Sequence, residues 1–394
     1  MAILAVNAGS STLKFSLHPI AAGAVQPCIL SGTIQGLEPG GAPDMRWTLE
    51  GATQQRALQA DGADSFGAAL TSLRELLASQ TRLPKLIAVA HRVVHGGRAF
   101  RASVVVDDAI LAELEKLNSL APLHQPHNLD GVRAFRRAFP DLPQVACFDT
   151  AFHGSLPELE YTFALPAELR EAGVRRYGFH GLSYHFVMDT LLECSATAKG
   201  RTLMAHLGNG ASLCAARKGR SIATTMGFSA LDGLMMGTRS GSIDPGVLLY
   251  LLEQGWTHKR LQTLLYKQSG LLGVSGISAD MRKLRADGSA DAKRAIDLFT
   301  HRVVRESGAL AACLGGLDVM AFSGGIGEHD AQLREDVCHA LAYLGVRINE
   351  AANRAATGDR VEAVHAGDSL VEVWVVPTDE GTVAAREALA LIAP

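Results

Sequence analysis

Positions 2–6 are an unbroken apolar run that stops at Asn7-Ala8-Gly9-Ser10-Ser11, after which Leu13, Phe15 and Leu17 alternate with Thr12, Lys14 and Ser16. Alternate side chains of a strand share one face, so this stretch reads as a β-hairpin with a Gly/Ser tip. Further apolar runs at 86–90, 144–148, 203–207, 319–322 and 369–376 lie close to turn or breaker residues and read as strands. Between them, apolar positions recur at helical spacing. Phe66, Leu70, Leu73, Leu76 and Leu77 form one such face, Ile110, Leu111, Leu114 and Leu117 another, and Ile296, Phe299, Val303 and Val304 a third. Strands and helices interleaved in this way predict α/β layers.

One internal echo adds to this picture. ILAVNAGSSTLKF near the start and TLMAHLGNGASLC near the middle share a scheme of strand, polar residue, Gly-containing turn and second strand, with Asn7 and Gly9 opposite His206 and Gly208. The repeat predicts two similar lobes, each aiming a Gly-lined hairpin tip at one ligand; coincidence of two ordinary hairpins is the plainer alternative. No Pro/Ser-rich linker separates the halves. The crossing is placed near Asp149-Thr150, giving lobes 1–149 and 150–380, with 381–394 returning to the first lobe as a helix.

Composition narrows the function classes. The 394 residues are 47% apolar and 20% charged, enough for large cores and against disorder as the main theme. With 37 basic and 40 acidic residues the net charge is −3, which offers no field for nucleic acid or anionic membranes. The six cysteines show no C-x-x-C spacing and read as reduced core thiols. No basic leader precedes the first apolar run, and no run approaches the ~18 residues of a membrane span. The expectation is a cytoplasmic protein.

Walker A, G-x-G-x-x-G and H-E-x-x-H motifs are all missing. Polar residues gather instead in Gly-rich turns beside apolar strands. Asn7, Ser10, Thr12 and Lys14 surround the first tip, Arg92 leaves the strand 86–90, Asp149 follows the strand 144–148, and His180 lies between glycines in Tyr177-Gly178-Phe179-His180-Gly181. Arg239 lies in MGTRSGSIDP, Asp280-Met281-Arg282 and Gly324-Gly325-Ile326 form turns suited to a nucleoside, and Glu380 lies between a strand and a helix. Each has a plainer reading as a solvated tip, a surface salt bridge, a structural histidine or a helix cap. Together, two arginines, a lysine, a histidine, acids and several Gly turns are equipment for phosphoryl transfer.

NAGSSTLK at 7–14, HRVVHGG at 91–97, FDTAFH at 148–153, YGFHG at 177–181, HLGNG at 206–210, MGTRSGSIDP at 236–245, FSGGIGE at 322–328 and TDEG at 378–381 resemble the acetate kinases in order and spacing, from end to end. The resemblance implies two RNase H-like lobes of the actin/Hsp70/sugar-kinase type around a nucleotide cleft, and a homodimer joined through the second lobe. It implies reversible transfer of the ATP γ-phosphoryl group to acetate, with magnesium, or manganese in its place, and with ATP and ADP as co-substrates. Arg92 and Arg239 are expected on the carboxylate and migrating phosphoryl group, His180 on the transition state, Asp149 as the essential acid, and Asn7 and Glu380 on the metal. Lys14, His206, Gly208, Asn209, Gly210, Asp280, Met281, Arg282, Gly324, Gly325 and Ile326 are expected at the nucleotide. Val94, Leu123 and Phe179 are expected around the acetate methyl group.

Five positions depart from the pattern. Ala230 replaces a proline of the substrate pocket and opens room for longer acids; Arg98, Tyr184, Ser242 and His329 replace an acid, a histidine, an aspartate and an asparagine. Propionate or butyrate kinase is the near alternative, and a non-catalytic ATP-binding switch of the actin/Hsp70 type the distant one.

Overall fold

β1 (Ala2–Ala8) is buried along nearly its whole length, as its unbroken apolar run requires, and β2 (Thr12–Ala21) pairs with it in antiparallel register, Asn7 opposite Lys14. The computed structural model describes residues 1–38, 40–58 and 65–393, so the last residue of the expected 381–394 helix lies outside the described residues. The chain divides into two compact units, Met1–Ala151 with Asp379–Pro394, and Phe152–Thr378.

The first unit holds a nine-stranded sheet. Besides β1 and β2 it contains β3 (Ala24–Val25), β4 (Leu30–Gln35), β5 (Asp44–Leu49), β6 (Ala52–Ala57), β7 (Leu86–Val93), β8 (Val104–Val105) and β9 (Gln144–Phe148). The order is β6-β5-β4-β2-β1-β7-β9-β8, with β3 beside β2. β1, β7 and β9 run parallel. One face packs on Leu70, Leu73 and Leu76 of the helix Ser65–Ser79, and a second cluster joins Val93 and Phe148 to Leu111 and Leu114 of Asp108–Glu115 and to Leu129 and Val132 of Gln125–Ala138.

The second unit repeats the central arrangement with β10 (Arg201–Leu207), β11 (Ala211–Arg217), β12 (Arg220–Thr224), β13 (Val319–Ser323), β14 (Glu362–Ala363) and β15 (Glu372–Val375), ordered β12-β11-β10-β13-β15-β14. Each unit thus has an antiparallel three-strand meander whose first strand is followed in the sheet by two parallel strands: β4-β2-β1-β7-β9 in one, β12-β11-β10-β13-β15 in the other. The parallel pairs require crossovers, and β10 reaches β13 through a segment that includes the 25-residue helix Ala290–Leu314, which buries Ile296, Phe299 and Val303.

The cysteines depart from expectation: Cys147, Cys214 and Cys338 are buried, but Cys28, Cys194 and Cys313 are exposed. Cys194 ends the helix Gly181–Cys194 beside exposed Leu192 and Glu193, and Cys313 lies in the last turn of Ala290–Leu314 on the side away from buried Leu310, Ala311 and Leu314. No helix among the described residues is long and apolar enough to cross a membrane.

Candidate active site

In the first unit, Asn7 near the end of β1, Arg92 in β7, Asp149 just beyond β9 and Glu380 at the start of the helix Glu380–Ile392 come together. Parallel pairing of β1, β7 and β9 brings their carboxyl ends to one edge, where side chains distant in sequence meet. Arg92 makes a two-pronged contact with Asp149, Nε to Oδ1 at 2.9 Å and Nη2 to Oδ2 at 2.5 Å. Its Nη1 donates to Asn7 Oδ1 at 3.4 Å, and its Nε lies 3.6 Å from Glu380 Oε2. The Asp149 side chain is 1% exposed while Arg92 and Glu380 keep about a quarter of theirs open, so the guanidinium is anchored on one side and accessible on the other. Burial pushes the Asp149 carboxyl up, to about 6, against the pull of Arg92, and the Glu380 carboxylate adds to the rise.

Side chains of the helix Gln125–Ala138 hold the segment that follows Arg92. Asn128 accepts from the Val94 amide at 3.0 Å and donates to the Ala8 carbonyl at 2.6 Å, tying the ends of β1 and β7 to one amide. Gln125 exchanges hydrogen bonds with both backbone groups of His95, and Thr150 accepts from the Gly96 amide. Gln125 and Asn128 escaped the site reading, although they stand in the motif APLHQPHN that contributed Leu123. Val94 is buried and Leu123 half-buried in this unit. Lys14 is also here, opposite Asn7 and exposed. Arg98 lies on an exposed turn.

In the second unit, His180 opens the helix Gly181–Cys194 in the left-handed conformation, φ 59°, uncommon for a non-glycine residue. Its ring stacks on His206 with centroids 4.2 Å apart, and its Nδ1 is 2.9 Å from Ser212 Oγ. His206 is held by Ser183 at 2.7 Å. A Cβ on Gly210 would stand 3.2 Å from His180 Nε2 and 3.9 Å from Arg239 Nη1, so glycine leaves room where these two groups approach one another. Arg239 donates to the Ala230 carbonyl at 3.0 Å, which places the departing residue Ala230 beside a predicted site arginine. Phe179 is buried, and its carbonyl bonds His153 Nε2 at 2.9 Å. Ser242 accepts from the Gly233 amide and donates to Asp232.

Next to this cluster is an open cavity of ≈ 910 Å³ lined by Gly208, Asn209, Asp280, Met281, Arg282, Gly325 and Ile326, together with Arg285, His329 and Asp330, which the sequence reading did not place there. Asp280 caps the helix Met281–Asp287, and its hydrogen bonds with Arg282 hold its carboxyl down, to about 2. Arg285 pairs with Asp330 at 2.9 Å across the rim. Gly324 has φ 74° and a Cβ there would press on the Leu207 carbonyl at 2.7 Å, so only glycine lets β13 turn into the next helix. Its amide and that of Thr378 both donate to Glu328 Oε1, at 2.7 and 3.0 Å.

The structure therefore brings Asn7, Arg92, Asp149 and Glu380 together in one unit, and His180, His206, Gly210 and Arg239 together in the other. The expected methyl pocket is divided, with Val94 and Leu123 in the first unit and Phe179 and Ala230 in the second.

Comparison with known proteins bears on both units at once. An acetate kinase of Rhodopseudomonas palustris is 48% identical over 391 residues, covering 98% of this chain and 96% of the relative. Among solved structures, a propionate kinase from Francisella tularensis superposes with a TM-score of 0.92 at 35% identity, covering 99% of this chain and all of its own. Acetate kinase from Porphyromonas gingivalis gives 0.89 at 34% identity, with 99% of each chain covered. These likenesses fit the doubled sheet topology, two RNase H-like units of the actin/Hsp70/sugar-kinase type. The acetokinase family model matches residues 2–386, so the residues gathered at both strand edges lie within one continuous family match, and the chain belongs to the acetokinase family.

Proposed function

We propose that this protein is an acetate kinase that reversibly transfers the γ-phosphoryl group of ATP to a carboxylate oxygen of acetate, giving acetyl phosphate and ADP. The observation that carries the proposal is an arginine held by a buried carboxylate in one unit together with a histidine–arginine pair beside a nucleotide-sized cavity in the other, all on motifs of the acetokinase family. The substrate's own oxygen attacks phosphorus as the bond to ADP breaks, so no protein nucleophile is needed, and catalysis consists of positioning and charge stabilisation. Arg92, kept in place by Asp149, binds the carboxylate and migrating phosphoryl group together with Arg239, and His180 donates to the phosphoryl oxygens as charge spreads. The cavity takes the nucleoside through Asp280, Met281, Arg282, Gly325 and Ile326, and the turn Gly208-Asn209-Gly210, with Lys14 from the other unit, takes the phosphates.

Asn7 Oδ1 and the carboxylate of Glu380 are hard oxygen donors brought together by Arg92, a set suited to magnesium, with manganese as an alternative. When bound, the ion neutralises phosphate charge. The protein is proposed to work in the cytoplasm as a homodimer. The helix Pro245–Glu253 supports that state: it buries none of its residues and exposes Val247, Leu249, Tyr250 and Leu252. A monomer by light scattering would remove the dimer from the proposal.

Propionate is the second reading, favoured by the TM-score of 0.92 to a propionate kinase and by the small side chain at Ala230. One methylene is worth only about 1–3 kcal/mol of discrimination, so acids of two, three and four carbons are compared by kcat/KM, with hydroxylamine trapping the acyl phosphate made from MgATP. The proposal expects hydroxamate from wild type and a preference for acetate. A preference for three or four carbons moves the assignment within the family, and no hydroxamate despite ATP binding favours a non-catalytic switch.

A further inference from the structure

Tyr184 stands where a histidine is usual after FHG-x-S, on the helix that His180 begins. Its phenol oxygen is 2.5 Å from Ser212 Oγ, and Ser212 Oγ is 2.9 Å from His180 Nδ1. Tyr184 and Ser212 are 1% and 0% exposed, so the direction of each hydrogen bond is set within the protein. Among the described residues Ser212 Oγ has these two partners and no other. Ser212 Oγ is the one hydrogen-bond partner of the phenol among the described residues, so it is the acceptor for the phenol proton. Burial pushes the Tyr184 phenol well above its ordinary range, so it remains a donor at any working pH. Ser212, having accepted from Tyr184, directs its one proton at His180 Nδ1. A ring nitrogen that accepts carries no proton, so the neutral imidazole is protonated at Nε2. That is the ring atom beside Gly210 and Arg239.

We infer that Tyr184 is a positioning residue which, acting through Ser212, holds His180 in the Nε2–H tautomer and so presents a ready donor to a phosphoryl oxygen. The use made of the donor rests on the carboxylate-kinase reading; the tautomer does not. The Nδ1–H tautomer would require Ser212 to accept at both ends and leave its own proton without a buried acceptor, the cost that fixes the direction.

The test uses the full-length protein labelled with ¹⁵N-histidine. The His180 ring resonances, assigned by their loss in His180→Gln, are expected to show a protonated Nε2 and an unprotonated Nδ1. In Tyr184→Phe, which removes only the hydroxyl, Ser212 is released to turn, and a mixture of tautomers is expected with kcat lowered about tenfold and KM for the acid nearly unchanged. Ser212→Ala should give the same pair of changes, and the double variant should be no worse than either single one. A wild-type ring protonated at Nδ1, an unchanged tautomer in both variants, or losses that multiply in the double variant would overturn the inference. Absence of hydroxamate from wild type with the Nε2–H tautomer present would overturn the kinase reading and leave the relay standing.

Discussion

Asp149 stands at a strand end that the sequence marks, but its partner there is set by tertiary pairing. Its spacing from Arg92 in the chain is 57 residues, and only adjacency of β7 and β9 makes the two-pronged contact. FDTAFH is legible as an acid at a strand end, whereas the rise of its carboxyl to about 6, which holds on to the proton, comes from complete burial with Glu380 adding to it. Between pH 3.8 and about 6 the native state holds a proton that the unfolded chain has released, so the contribution of Asp149 to stability declines as pH rises through that window. Anchoring of Arg92 needs the ionised form. The acidic limb of kcat/KM is therefore expected near pH 6, with Asp149→Asn abolishing that limb, lowering activity and flattening the stability decline; a pH series of kinetics and thermal melts on both proteins checks this. An unchanged limb in the variant would assign it to another group.

At the scale of elements, strands with strong apolar patterns are legible and polar ones are not. The hairpin of β1 and β2 and the tip joining β10 to β11 follow from alternation and glycine, and the periodic faces of Ser65–Ser79 and Ala290–Leu314 are buried as expected. β6 carries ATQQRA and is exposed throughout, so its pairing with β5 supplies the order that its own sequence does not. The run 369–376 shortens to β15, because Ser369 turns its hydroxyl back onto the Val371 carbonyl before the strand begins. YGFHG, read as a turn, also begins a helix, since His180 takes the left-handed conformation and acts as the cap position. Gln125 and Asn128 were invisible as site supports because their partners are backbone groups at the end of β1 and in the segment just after β7, distant in sequence from their helix. Asn128→Ala would leave the Val94 amide and Ala8 carbonyl buried without this partner. A loss of about 3 kcal/mol in denaturant unfolding is expected, with reduced kcat, whereas a loss below about 1 kcal/mol would show that the tie contributes little.

For the whole molecule, the duplicated topology explains why the predicted site residues, from Asn7 to Glu380, gather at strand ends in each of two units. Each unit presents the carboxyl ends of its parallel strands, with Arg92 and Asp149 at those of the first and the Gly324 turn at the end of β13 in the second. The echo of the two hairpins was readable because both tips need glycine and a polar residue after an apolar strand. The repeat also predicted that both tips serve one ligand, and a role for residues of both units in one transfer belongs to the proposed function. The direct measurement is kcat for Arg92→Ala, Arg239→Ala and the double variant, each shown to be folded. Each single change is expected to lower kcat at least about a hundredfold, and the double variant to lose less than the product of the two, as groups acting on one transition state do. Near-normal turnover in both single variants, or losses that simply multiply, would contradict a shared role.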